Sequence, residues 1–125
     1  MTEQQIVLLV HEFYRKVRED EVLGPVFNHA IPDWPGHLDK LCDFWSSVML
    51  TTGRYKGQPM AAHIKHKAAI EPPMFERWLG LWKETASEIL DRDGALAVAA
   101  KAERIAESLQ LGMFFKIEDR GAVAA

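Results

Sequence analysis

Apolar residues along this 125-residue chain recur at helical, not alternating, spacing. Ile6, Leu9, Val10, Phe13, Tyr14 and Val17 follow one another at steps of three, one, three, one and three, which puts them on one helical face. Thr2 with Gln5 three residues later is the pattern of a capping box at its start. Gly24, Pro25 and Pro32 then interrupt the repeat, so "EDEVLGPVFNHAIP" reads as short irregular or one-turn pieces. Asp33 is placed to cap a second helix with Pro35 in its first turn. His37, Leu41, Phe44, Trp45 and Val48 form the stripe of that helix. The glycines of "TTGRYKGQP" end it, and a short helix starts near Pro59. A third long helix follows Pro72-Pro73 and aligns Phe75, Trp78, Leu79, Trp82, Ala86, Ile89 and Leu90. "DRDG" makes the next turn, and a fourth helix carries Val98, Ala102, Ile105, Leu109 and Met113. No stretch alternates as a strand does, and the expected fold class is all-α.

Composition adds exclusions. The chain is long enough, and apolar enough at 48%, for one domain with its own core. A net charge of −3 with both signs interspersed gives no basic block, which argues against nucleic acid as a partner. The single cysteine, Cys42, forbids an internal disulfide and a zinc site built on Cys pairs, and fits a reducing compartment. No apolar run reaches the roughly 20 residues of a membrane span. The polar, acidic start "MTEQQIVLLVHEFY" is unlike a signal peptide, so the expected location is cytoplasmic. Residues 1–117 are expected to form the domain and 118–125, in "EDRGAVAA", a frayed tail.

Candidate chemistry rests on histidines and hydrogen-bonding aromatics. Phe13, Trp45 and Trp82 read as core. Tyr14 and Trp78 each bring a donor onto an inward face, where a backbone carbonyl or a bound polar ligand must satisfy it. His37 opens the stripe of the second helix, as a core or rim residue or as a ligand contact. In "GQPMAAHIKH", His63 and His66 lie three apart with no carboxylate before Glu71, a poor cage for a bare ion that needs three or more protein ligands. HExxH and paired ExxH motifs are missing too. One axial histidine is enough for haem iron, whose other four ligands are porphyrin nitrogens. Ala61 and Ala62 would let a macrocycle approach the helix bearing His63. His66, about 60° round and roughly 4.5 Å along, cannot reach the same iron; it sits near a haem edge with Lys65 or Lys67, or in water.

Five pieces in order then carry a resemblance: "EFYRKV", "EVLGPVFNHAI", "W..H...L..FW", "Y.GQP...H" and "F..WL.LW". Together, over about residues 6 to 114, they resemble the truncated haemoglobins of the third group. The resemblance implies a two-over-two helical sandwich enclosing haem b. It implies His63 as the iron ligand, selected over His66 by the "Y.GQP...H" spacing. It places Tyr14 and Trp78 at the distal face, His37 at the pocket mouth, and Phe27, Leu41, Phe44, Tyr55, Met60 and Phe75 along the pocket. Without a Cys-x-x-Cys-His motif the haem is not held by thioethers.

The constellation implies a five-coordinate haem binding O₂, NO or CO. Donors aimed at a ligand that draws charge from iron make bonds worth about 1.5–3 kcal/mol, each slowing release roughly 10–150-fold. Two such donors suit high-affinity O₂ binding, or NO- and peroxide-related redox chemistry, better than transport. An NO dioxygenase or peroxidase-like activity with an external reductase is compatible with this, in a monomer or weak dimer. His37 is of a residue type whose charge can change near neutral pH, which makes it a candidate gate. Two rival readings are a haem-free helical interaction module and an enzyme with Cys42 as nucleophile, the latter disfavoured because no histidine lies at helical spacing from Cys42.

Overall fold

The computed structural model describes residues 1–57, 59, 63, 66 and 69–114. Met60, Ala61, Ala62, Lys65, Lys67 and the tail from residue 115, to which the sequence assigned roles, lie outside the described residues.

Five helices are fully described: α1 (Glu3–Glu19), α2 (Leu23–Ala30), α3 (Trp34–Leu50), α4 (Pro72–Ile89) and α5 (Arg92–Phe114). The described residues include no strand. The buried face of α1 is the six residues that the spacing selects, and the Thr2–Gln5 capping box forms in both directions. Asp33 caps α3 by accepting the Gly36 amide, with Pro35 in the first turn. Pro72 and Pro73 occupy the first turn of α4, where their missing N–H groups have no intrahelical partner to lose.

Three boundaries depart from the sequence reading. Residues 23–30 form a two-turn helix, not irregular pieces. Asp20 accepts the Val22 and Leu23 amides, and Pro25 falls at the third position, where it breaks no helical bond. Gly24 lets α2 pack hard against the end of α1, since a Cβ there would stand 2.7 Å from the Arg18 carbonyl oxygen. Helix α3 ends before its glycines, at Thr51, whose φ of 58° puts a non-glycine residue in the left-handed region. The turn after α4 is shorter than "DRDG", because Asp91 accepts the Gly94 amide and α5 starts at Arg92.

Helix α1 is the hub, packing on α2, α3 and α4, while α4 packs on α5. The result is the two-over-two sandwich, α1 with α3 over α4 with α5. Its centre is aromatic. The Trp82 ring stacks on Trp45 with centroids 4.3 Å apart and receives Phe13 edge-on at 4.9 Å. Trp82 is fully buried, and its Nε1–H donates to the Val98 carbonyl at 3.1 Å, tying α4 to α5. Lys16 reaches Glu84 and Glu88, and Asp20 reaches Arg77 at 2.7 Å, so polar links also join α1 and the start of α2 to α4. A second cluster of Phe75, Ala106, Leu109 and Met113 closes the far end of the α4–α5 pair.

Candidate functional site

Phe13 and Tyr14 are neighbours on α1, and the helical step turns them to different surroundings. Phe13 points to Trp78 and Trp82 in the core. Tyr14 meets Phe27 of α2 at 5.9 Å and Trp34 of α3 at 6.0 Å. The phenol is 5% exposed, and burial pushes its pKa well above the ordinary value. The Trp78 indole offsets this in part by donating toward the phenol oxygen, an approach that falls short of full hydrogen-bond geometry. Tyr14 therefore stays an O–H donor at any pH near neutrality. Trp78 itself is half-buried. Tyr14, Trp78 and Phe27 are thus brought together as neighbours.

His37 lies half-buried on the first turns of α3. Desolvation, then the charges of Lys40 and His63, lowers its pKa, which keeps the imidazole neutral. Leu41 and Phe44 continue this half-buried face.

Tyr55 joins α3 to the segment bearing His63. Its amide donates to the Ser47 hydroxyl at 2.9 Å, and its ring meets Phe44 edge-on at 5.2 Å. The Tyr55 ring also lies over Gly57 where a Cβ would collide with it, which gives the glycine of the "Y.GQP" run its physical reason. Beyond it, Pro59 and His63 are both helical. His63 Nδ1 stands 2.7 Å from the Pro59 carbonyl oxygen. A carbonyl only accepts, so the Nδ1 carries the proton and the lone pair sits on Nε2. That fixes both the ring and the nitrogen offered to a metal, as metal-binding histidines require. The His66 amide donates to the His63 carbonyl at 3.0 Å, the tight i to i+3 pattern of a closing turn. Among the described residues no three His, Cys, Asp or Glu side chains converge on a point that would hold a bare ion.

Phe75 stands apart from these residues. It packs in the second cluster against Phe114, at 6.4 Å, and against Met113 and Leu109. Met60 lies outside the described residues. Cys42, half-buried among apolar neighbours and beside Asp39 and Asp43, has its thiol pushed up to about 11, so it is protonated and unreactive near neutral pH. In the sequence, Trp34 stands out only as the first position of "W..H...L..FW". It is buried and touches both Tyr14 and His37. Its position three residues before His37 on one helix was the available signal. A groove of about 450 Å³ runs beside Tyr14 and Leu38. Its other walls, among them Arg15, Arg18 and Glu19, are charged and do not suit a porphyrin face.

Known proteins resemble this chain in sequence and in fold. A family model for bacterial-like globins matches residues 2–109. The chain is 32% identical over 120 residues to a group 3 truncated hemoglobin of Campylobacter jejuni, covering 93% of each protein. The crystal structure of a group III truncated hemoglobin from the same organism superposes with a TM-score of 0.86 at 31% identity, over 91% of this chain and 92% of that one. The chain belongs to the bacterial-like globins, in the group III branch of the truncated haemoglobins.

Proposed function

We propose that this globin, as a single domain over residues 1–117, holds haem b through Nε2 of His63 and binds O₂ and other diatomic ligands in a polar pocket. The hydrogen bond from His63 Nδ1 to the Pro59 carbonyl carries the proposal, because it leaves Nε2 as a fixed lone-pair donor. The donor set fits haem. Phe27, Leu41, Phe44 and Tyr55 are half-buried and would supply apolar contact surface to the macrocycle. Met60 and Phe75 belong to the same pocket-lining expectation. Bound there, haem supplies a coordination position at which O₂, NO and CO bind reversibly.

The chain's own groups set what is done with that position. Tyr14 and Trp78 donate toward an electron-rich diatomic ligand, and burial keeps the Tyr14 proton in place. Each charge-assisted bond is worth about 1.5–3 kcal/mol, or roughly 10–150-fold in ligand release. Slow release favours retention of O₂ or redox chemistry with NO or peroxide over transport. The turnover chemistry then needs an external reductase. His37, neutral and half-buried at the start of α3, acts as the gate. The haem is held without thioether bonds, since the chain has no Cys-x-x-Cys-His. Among the described residues no helix is long and apolar enough to cross a membrane, and a cytoplasmic, monomeric or weakly dimeric protein fits the reading.

A haem titration tests it. Hemin added to the purified chain is expected to give a saturable one-to-one complex with a strong band at the blue edge of the visible, sharpened by reduction under CO. A chain that stays colourless, or takes up hemin only without limit, overturns the proposal.

A further inference from the structure

Trp34, the first residue of α3, is buried and pinned from several directions. Its Nε1–H donates to Asn28 Oδ1 at 3.1 Å. Asn28 in turn donates from Nδ2 to the Arg18 carbonyl at 3.3 Å, which fastens the indole to α1 through α2. The Arg18 guanidinium lies over the indole ring, 4.7 Å from its centroid, and the described residues offer it no ion-pair partner that would draw it off. On its inner sides the ring meets Tyr14 and, edge to face at 6.0 Å and 89°, His37. His37, half-buried, is the less buried member of that pair, one helical turn further on. The His37 imidazole thus rests against an indole that is itself held by Asn28 and Arg18.

We infer that Trp34, held by Asn28 and Arg18, is a positioning residue that keeps the His37 imidazole in its half-buried position. The inference rests on the reading of His37 as the gate of a haem pocket. Edge-to-face aromatic pairs hold a population against its alternative by about 2- to 12-fold, which sets the size of the effect. Asn28 and Arg18 are exposed, so the brace can be loosened from outside without opening the core.

CO is the probe, with the haem-loaded full chain. Asn28→Ala and Trp34→Leu are each expected to raise the CO association rate about 2- to 12-fold after photolysis. Both should shift the C–O stretching band in the direction that His37→Ala does. In a His37→Ala background neither should add a further change. In the haem-free chain, Asn28→Ala should move the His37 ring-proton resonances as the ring-current field of Trp34 is lost. Rates and resonances that do not move in Asn28→Ala overturn the inference, as do equal changes with and without His37. If Trp34→Leu fails to fold, Asn28→Ala alone decides. A wild-type chain that binds no CO removes the pocket reading and this inference together, whereas normal CO binding with unresponsive variants removes only this inference.

Discussion

Trp82 and Trp78 sit one turn apart on α4 with rings nearly parallel, 6.0 Å between centroids, yet they belong to different kinds of site. Trp82 is fully buried, stacked on Trp45, and its N–H is satisfied by the Val98 carbonyl. Trp78 is half-buried, and its N–H reaches only toward the Tyr14 phenol without closing a full bond. The same contrast separates Phe13 from Tyr14 on α1. One side of each helix is finished by the protein. The other carries the Tyr14 and Trp78 donors, which the proposed function assigns to a bound diatomic ligand.

The largest expected effect lies on the finished side. Trp82→Ala removes the ring at the centre of the core and should cost about 3–5 kcal/mol, read from a urea or thermal unfolding curve. On the ligand side, stability and ligand release should separate. Tyr14→Phe and Trp78→Phe should each change stability by less than about 1.5 kcal/mol while raising the O₂ dissociation rate roughly 10–150-fold in stopped flow. Unchanged rates in both variants would refute the donor assignment, and a collapse in stability would erase the contrast.

Alkaline pH sharpens it further. Tyr14 has its pKa raised by burial, so the unfolded chain loses this proton first. Its contribution is therefore complete below about pH 10, the ordinary tyrosine value, and is lost as pH climbs above it. Stability should fall above that pH, and less steeply in Tyr14→Phe. The smallest expected effect is at Cys42. With its thiol pushed up to about 11, it should react with iodoacetamide at pH 7.5 far more slowly than free cysteine. Rapid labelling would revive the nucleophile reading.

Much of this was legible from the order of residues. Periodicity located α1, α3, α4 and α5 and their buried faces, because each is long enough for the 3.6-residue repeat to dominate. The caps at Thr2 and Asp33 are local and were readable for the same reason. Helix α2 was not, since Gly24 and Pro25 act as breakers in isolation. What makes them compatible with a helix is the Asp20 cap and the nearness of α1, and the second of these is tertiary. Thr51 in the left-handed region was equally hidden behind the glycines that follow it. Among the candidate residues, Tyr14 meets Phe27 across the α1–α2 contact and has the Trp78 indole beside it. Phe75 faces α5 because one side of α4 serves the second cluster. The role of Trp34 depends on Asn28 and Arg18, which no repeat on α3 records.

If haem is held through the imidazole at position 63, chemical rescue will show it. His63→Gly, loaded with haem, should lose the wild-type ferrous and CO-bound spectra and regain them when free imidazole is added, while His66→Gly should keep them throughout. A His63→Gly chain with wild-type spectra before any imidazole is added, or a His66→Gly chain that needs it, would contradict the account.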